Sequence, residues 1–413
     1  MSEIRGISTS IVRATNNSPA KIHLTPWDLQ LLLLDPIQKG LLYHKSNIQE
    51  NTRSFLEHLE NSLSRTLDFF PPLAGRLGTV KHEDTDAQSF YIDCNNEGAQ
   101  FTHSIATGIT VNDILKAKYV PAIVRSFFLL NGVCNIEGIS KPLLAIQVTE
   151  LEDGYFVGCT LNHSVGDGTS FWNFLNSWSE ISRGFQFPSK LPSLNRWFPE
   201  YVDSQIRIPV LDEKLLIRFI SLPILEERVF HFMLAHIWRS IIRSRNVNED
   251  DGRDVSMRIL VGARRRLRDP PLPDAYFGNA IHMIYVNTTA STLLSRGHSW
   301  ASAQLNQAVA AQTEEETKNF YKKWVKCPQV YSRNELKNDS LVTSSSPRFD
   351  VYGTDFGWGK PIAVRSGLGN KSDGKITLFP GPEPGSMDIE ICLLKEKLWR
   401  LENDVDFMEF VQI

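Results

Sequence analysis

Tyr155-Phe156-Val157-Gly158-Cys159-Thr160-Leu161-Asn162-His163-Ser164-Val165-Gly166-Asp167-Gly168-Thr169-Ser170-Phe171-Trp172-Asn173-Phe174-Leu175-Asn176-Ser177-Trp178 reads as a strand, a polar loop and a helix. Tyr155 to Leu161 is a continuous apolar run, as expected of a strand. Phe171 to Trp178 repeats its apolar residues at helical spacing, and Thr169 and Ser170 are suitable capping types at the boundary. His163 therefore falls on a strand-to-helix loop, where a rigid scaffold can present an imidazole to a ligand. Its ordinary pKa of about 6.5 lets it take a proton from an alcohol or amine near neutral pH. The plainer reading is a polar loop residue without chemical duty. Gly166 and Gly168 keep side chains out of the loop and permit tight turns. Asp167 has two readings that spacing does not separate: it orients His163, or it braces the loop by pairing with an arginine elsewhere.

Working outward, Ile4 to Val12 and Leu41 to Tyr43 are expected strands. Thr25-Pro26-Trp27-Asp28 is a helix start, with Thr25 as cap and Pro26 at the first helical position. Asn51 to Leu67 carries Phe55, Leu56, Leu59, Leu63 and Leu67 as one amphipathic face, stopped by Pro71-Pro72. Leu143 to Glu150 is expected to pair with Tyr155 to Leu161 across the Glu152-Asp153-Gly154 turn. From Gly184 to Pro223 prolines recur without clean periodicity, as in a long crossover. Beyond it, Glu227 to Phe232 is an expected strand and Leu234 to Ser244 an expected helix. Further strands are expected at Met257 to Gly262, Ile281 to Val286, Phe349 to Tyr352, Ala363 to Arg365, Lys375 to Phe379 and Met387 to Leu393. Strands outnumber helices and the two are mixed, which favours α/β architecture with mixed sheets. The expected division is 1–183, a linker at 184–223, and 224–413.

The chain has 413 residues, 42% hydrophobic and 22% charged, enough for large cores. A net charge of -3 gives no long-range attraction to nucleic acid or to anionic membranes. The five cysteines are dispersed and form no CxxC pair, arguing against a disulfide framework and a cysteine zinc site. No second histidine stands at ligand spacing from His163, and His231 and His236 would face different sides of a helix, so no metal is expected. Met1 to Ser10 has no hydrophobic signal core and Leu31 to Leu34 is too short to span a bilayer, so a cytoplasmic protein is expected.

No Gly-x-Ser-x-Gly elbow follows a strand, which disfavours hydrolase chemistry. A single base acting on a bound hydroxyl or amine suits acyl transfer from an activated donor. A second constellation is Thr354-Asp355-Phe356-Gly357-Trp358-Gly359-Lys360-Pro361. It is either a structural loop or one whose Trp358 offers an indole N–H to an oxyanion. No His-Arg-Asp loop precedes it, so the kinase reading of Asp-Phe-Gly is excluded. A third is Gly262-Ala263-Arg264-Arg265-Arg266: a solvated basic turn, or the bidentate partner of a buried carboxylate such as Asp167 or Asp355.

Taken together these residues resemble the BAHD acyltransferases, the plant acyl-CoA-dependent family. The matches are His163-Ser164-Val165-Gly166-Asp167-Gly168 for HxxxDG and Asp355-Phe356-Gly357-Trp358-Gly359 for DFGWG, in that order. Phe69 to Leu77 and Tyr276-Phe277-Gly278-Asn279-Ala280 support them, and the resemblance spans essentially the full length. Leu24 to Leu29 and Ile37 to Leu42 resemble one plant clade within the family. The resemblance implies two chloramphenicol-acetyltransferase-like domains, each a mixed sheet flanked by helices, with a solvent channel between them. It implies His163 as general base, with acyl-CoA as co-substrate and no permanently bound cofactor. A small plant metabolite would be the acceptor, and the protein would act as a monomer. Asp167 would be structural, paired with Arg264 or Arg266, while Asp355, Gly357 and Trp358 would shape the CoA side, Trp358 also reaching the oxyanion. One departure is visible: Phe232 runs almost directly into Met233-Leu234-Ala235-His236-Ile237-Trp238, where the family carries a further helix on the CoA side. It leaves two alternatives open: a lyase of the same fold acting on an isochorismate-derived, salicylate-related conjugate, and a catalytically weakened binding protein.

Overall fold

The computed structural model describes all residues except 1–2, 17, 46–50, 201, 212–223, 231–233, 246–251, 333–338, 384 and 410–413. His231, the Phe232-Met233 junction and the end of the expected 184–223 linker thus lie outside the described residues. The strands are β1 (Glu3–Val12), β2 (Lys21–His23), β3 (Ile37–His44), β4 (Arg76–His82), β5 (Ala87–Asp93), β6 (Ala99–Thr107), β7 (Leu144–Glu150) and β8 (Gly154–Leu161). They continue as β9 (Ile208–Pro209), β10 (Ile224–Phe230), β11 (Asp254–Gly262), β12 (Ile281–Thr289), β13 (Ser340–Ser345), β14 (Ala363–Ser366), β15 (Lys375–Pro380) and β16 (Met387–Leu394). The helices are α1 (Pro26–Leu29), α2 (Thr52–Leu67), α3 (Val111–Leu115), α4 (Gly168–Ser182), α5 (Leu234–Ser244), α6 (Ala290–Ser295), α7 (Gly297–Ala310), α8 (Glu314–Lys326), α9 (Lys395–Glu402) and α10 (Val405–Met408). Among the described residues no helix is long and apolar enough to cross a membrane.

Two six-stranded mixed sheets organise these elements. The first runs β1-β6-β7-β8-β3-β14 and the second β10-β16-β15-β13-β11-β12, while β2, β5, β4 and β9 form a small satellite sheet. Strand β8 is buried along its whole length, which explains its unbroken apolar sequence. It pairs antiparallel with β7, Leu144 opposite Leu161, and with β3, Tyr43 opposite Tyr155. Gly158 is needed at its centre, because a Cβ there would stand 2.1 Å from the Phe127 carbonyl oxygen.

Helix α2 forms where its apolar stripe predicts, and Asn51 caps it by accepting from Ser54 N at 2.9 Å. Phe55, Leu59, Leu63 and Leu67 bury that stripe in the core shared with α4 residues Phe174, Leu175 and Trp178. Truncating one of these leucines to alanine removes about 2–5 kcal/mol. The second sheet is backed by α5, whose Ile237, Trp238 and Ile241 pack with Ile376 and Ile391 of β15 and β16.

One expected strand is corrected. Phe349 to Tyr352 is not a strand: Val351 N bonds back to Phe349 O at 3.0 Å and Phe349 N to Ser346 O, folding the segment into turns. The strand in this region is β13, whose Ser/Thr-rich sequence lacks an apolar alternation and is held by parallel pairing with β11 and β15. Helix α1 starts as expected at Thr25-Pro26 but is a single turn. A further finding is that β14, from the second half of the chain, pairs with β3 at the edge of the first sheet.

Candidate active site

His163 follows β8 directly, and its main chain is held from two sides. Asn135 Oδ1 accepts from His163 N at 2.7 Å, and Asn279 Nδ2 donates to His163 O at 2.7 Å. Asn162 Nδ2 donates in turn to Asn135 O at 2.6 Å. The loop is thus pinned through its backbone. The ring is half-buried, and its Nδ1 has no hydrogen-bond partner among the described residues. Burial is the strongest influence on it and pushes its pKa below the usual histidine value; its own carbonyl and Asp167 oppose this, and Lys375 adds to it. The ring is therefore neutral near pH 7 and able to accept a proton.

Asp167 does not face His163. It is the N-cap of α4, with Oδ1 accepting from Thr169 N and Ser170 N at 3.1 Å each. This corrects the expected cap: Thr169 and Ser170 supply capped N–H groups, and the capping side chain is the aspartate. Oδ2 accepts from Ala280 N at 3.1 Å, and Arg264 binds the carboxylate bidentately, Nη2 to Oδ1 at 2.9 Å. Burial opposes ionisation of Asp167, but the Arg264 charge and these hydrogen bonds outweigh it and hold its pKa below the usual carboxylate range. Arg264 also donates to Tyr276 O at 3.1 Å and Gly278 O at 2.9 Å, so the pair ties the loop to the second half of the chain. Arg266, the other candidate, is turned away: it donates to Gln312 O and Gly262 O. Gly166 and Gly168 act through close approach. A Cβ on Gly166 would stand 2.8 Å from Ser170 Cβ, and one on Gly168 would stand 2.8 Å from the Phe349 ring.

The Asp355-to-Gly359 loop lies elsewhere. Asp355 Oδ1 accepts from Gly357 N at 2.8 Å and Gly359 N at 3.0 Å, closing the loop on itself. Gly357 and Gly359 have φ of 105° and 103°, which only glycine adopts without strain. Trp358 is buried, stacked on Tyr43 at 4.9 Å and edge-on to Phe55 at 4.4 Å. Tyr43 and Tyr155 are cross-strand partners at the start of β8, and His163 follows its other end. Tyr155 and Leu161 are about 20 Å apart at roughly 3.3 Å per residue. The indole N–H is therefore out of reach of a carbonyl held at His163. The oxyanion reading of Trp358 is corrected to one of packing, because this loop clasps the far end of the first sheet.

Sequence reasoning missed the polar frame around the loop. Asp28 is fully buried and accepts from Asn279 N at 3.1 Å and Asn279 Nδ2 at 2.9 Å. Arg196 pairs with Asp28 at 3.2 Å and donates to Val165 O at 2.8 Å. A carboxylate beside Trp27 in an apolar stretch was a signal for Asp28, since buried charges need partners. Nothing in the sequence marked Asn135 or Arg196.

Comparisons with known proteins agree with this fold. A family model described as Transferase family matches residues 3–203 and 226–408. An uncharacterised acetyltransferase of Arabidopsis thaliana is 38% identical over 447 aligned positions, covering 99% of each chain. The Arabidopsis protein enhanced Pseudomonas susceptibility 1 is 36% identical, over 100% of this chain and 99% of its own. The BAHD acyltransferase DCR, from the same plant, is 32% identical over 94% and 88%. Among solved structures, vinorine synthase superposes with a TM-score of 0.73 at 18% identity, covering 99% of each chain. The F. graminearum TRI101 complex with coenzyme A and T-2 mycotoxin gives 0.77 at 16% identity, covering 95% and 99%. Both show the two-lobed arrangement of the chloramphenicol-acetyltransferase type. The chain belongs to the transferase family of BAHD acyltransferases, enzymes that move acyl groups other than aminoacyl groups.

Proposed function

We propose that the protein transfers an acyl group from acyl-CoA to a hydroxyl or amine of a small metabolite, with His163 as general base and Asp167 as a positioning residue. The observation that carries this is the division of labour in the loop. Asn135 and Asn279 hold the His163 backbone, Arg264 engages Asp167, and the imidazole is left neutral without a partner on Nδ1. Deprotonation of the acceptor as it attacks the thioester needs that one base. The coenzyme A bound in the TRI101 structure supports acyl-CoA as co-substrate. On this reading 1–183 and 224–413 are the two lobes, joined by 184–223. The test is turnover of acetyl-CoA with a panel of alcohols and amines. His163→Ala is expected to lower kcat by at least about 10²-fold, the usual share of general base catalysis, and turnover equal to the wild type overturns the assignment.

A second reading rests on the short link between β10 and α5, within the second lobe. Strand β10 ends at Phe230 and α5 begins at Leu234. The alignment with the Arabidopsis acetyltransferase runs over 447 positions against 413 residues here. Loss of a CoA-side helix in that link favours a lyase of the same fold on an isochorismate-derived conjugate, or a binding protein. Calorimetry with CoA and acetyl-CoA separates the readings: saturable binding supports the transferase, and no detectable heat favours the others.

A further inference from the structure

The His163 loop is tied across the molecule at every second residue. Asn279 Nδ2 donates to His163 O at 2.7 Å, Arg196 Nη2 donates to Val165 O at 2.8 Å, and Arg264 Nη2 donates to Asp167 Oδ1 at 2.9 Å. The other ends of these ties fall on one short segment, Tyr276 to Asn279. Arg264 donates to Tyr276 O and Gly278 O, Arg196 Nη1 donates to Phe277 O, and Asn279 belongs to the segment itself. Asn279 and Arg264 come from the half of the chain that carries the segment. Arg196 does not: it lies on the irregular stretch between α4 and β9.

That stretch is seated firmly enough to deliver the side chain. Ser193 N donates to Ala275 O at 2.9 Å, and Phe277 N donates to Ser193 O at 2.8 Å. Trp197 stacks on Trp27 at 5.5 Å and meets Tyr321 edge-on at 5.3 Å. The Arg196 side chain beside it is 2% exposed, and its Nε lies 3.2 Å from Oδ2 of the fully buried Asp28. Asp28 Oδ1 in turn accepts from Asn279 N at 3.1 Å and Asn279 Nδ2 at 2.9 Å. One guanidinium therefore holds Val165 O directly and, through Asp28, steadies the amide that holds His163 O. Gly278 leaves room for it, since a Cβ there would collide with Arg196 Nη1. A planar fork of donors serves a carboxylate and two carbonyls together, where an ammonium would act as a single point.

We propose that Arg196 is a positioning residue for the His163 base, fixing the loop against the Tyr276-to-Asn279 segment. This rests on the reading of His163 as the general base. Proton transfer needs the imidazole within hydrogen-bond reach of the acceptor, and a misplacement of about 1 Å costs on the order of 10²-fold in rate. Without Arg196 the Val165 carbonyl loses this donor, and the buried Asp28 keeps its charge without the cation that balances it. The loop is then free to shift and water to reach the ring, so burial depresses the His163 pKa less.

The test uses the full chain carrying Arg196→Ala, with Arg196→Lys as the variant that serves if alanine does not fold. Lysine keeps a charge for Asp28 but cannot serve Val165 O and Phe277 O together. Arg207→Ala is the control, because Arg207 makes an exposed pair with Asp84 at 2.8 Å on the same stretch of chain. One readout is kcat and KM per folded molecule, with acetyl-CoA and an alcohol or amine that the wild type turns over. The other is the titration of the His163 ring by NMR on histidine-labelled protein, its signal identified by its loss in His163→Ala. In Arg196→Ala kcat is expected to fall at least about tenfold with KM nearly unchanged. His163 is expected to titrate higher, toward the ordinary value of about 6.5. Arg196→Lys should change both in the same direction, and Arg207→Ala should match the wild type. A merely structural arginine would lower the folded fraction and leave the titration where it was. Either readout unchanged in the Arg196 variants overturns the proposal. Turnover retained in His163→Ala sinks the base assignment and this proposal with it, whereas turnover lost there but retained in Arg196→Ala sinks this proposal alone.

Discussion

Replacing Asp167 by asparagine separates a brace from a proton relay. The wild-type carboxylate is 2% exposed and pairs with Arg264, itself 11% exposed. Asparagine is as good an N-cap as aspartate, so α4 keeps its start. What is lost is the charge that compensates a buried guanidinium. Removing one partner of such a pair costs about 3–5 kcal/mol. Arg264 retains its bonds to Tyr276 O and Gly278 O, which argues for about 3. That is a large part of the 5–15 kcal/mol typical of a folded protein. The assay is guanidinium denaturation followed by tryptophan fluorescence, with kcat measured per folded molecule. The sign with pH follows from the depressed Asp167 pKa: its contribution is present above the unfolded value of about 3.9 and is lost as pH falls through the folded one. The gap between wild type and Asp167→Asn should therefore be full at pH 7 and narrow toward pH 3. If Asp167 is a brace, kcat per folded molecule falls by no more than about tenfold, whereas a carboxylate that orients the catalytic imidazole costs about 10⁴ when amidated. A loss of that order in a protein as stable as the wild type would refute the reasoning.

The pH dependence of kcat/KM should show an acid limb below 6.5, because burial depresses the His163 pKa; a limb at or above that value would count against His163 as the base. Trp358→Ala removes a ring packed on Tyr43, Phe55 and Phe356 and should cost about 3–5 kcal/mol in thermal or chemical denaturation. Its affinity for CoA by calorimetry should match the wild type, and weakened binding at wild-type stability would restore the ligand-contact reading of that loop.

Much of the scaffold was legible because it repeats a period. Strand β8 is an apolar run, α2 and α5 carry apolar stripes, and each formed within a few residues of its expected bounds. Strand β13 was hidden because Ser340-Leu341-Val342-Thr343-Ser344-Ser345 owes its pairing to neighbours on both sides. Phe349 to Tyr352 misled because its residue types suit strands, yet the side chains fill the first core from a turn, with Val351 fully buried. Strand β14 looked like part of the second sheet because it follows in sequence, while its hydrogen bonds go to β3.

The sequence alone determined that a histidine stands on a loop between a buried strand and a helix, since local periodicity and residue types carry that information. It also determined that no serine nucleophile or metal cluster was signalled beside it. Only the tertiary structure decided which arginine meets Asp167, because Arg264 and Arg266 share one turn and differ only in the direction their side chains leave it. The same holds for Trp358, whose motif reads equally well as a ligand contact until β3 and β8 place it at the far end of the strand from His163.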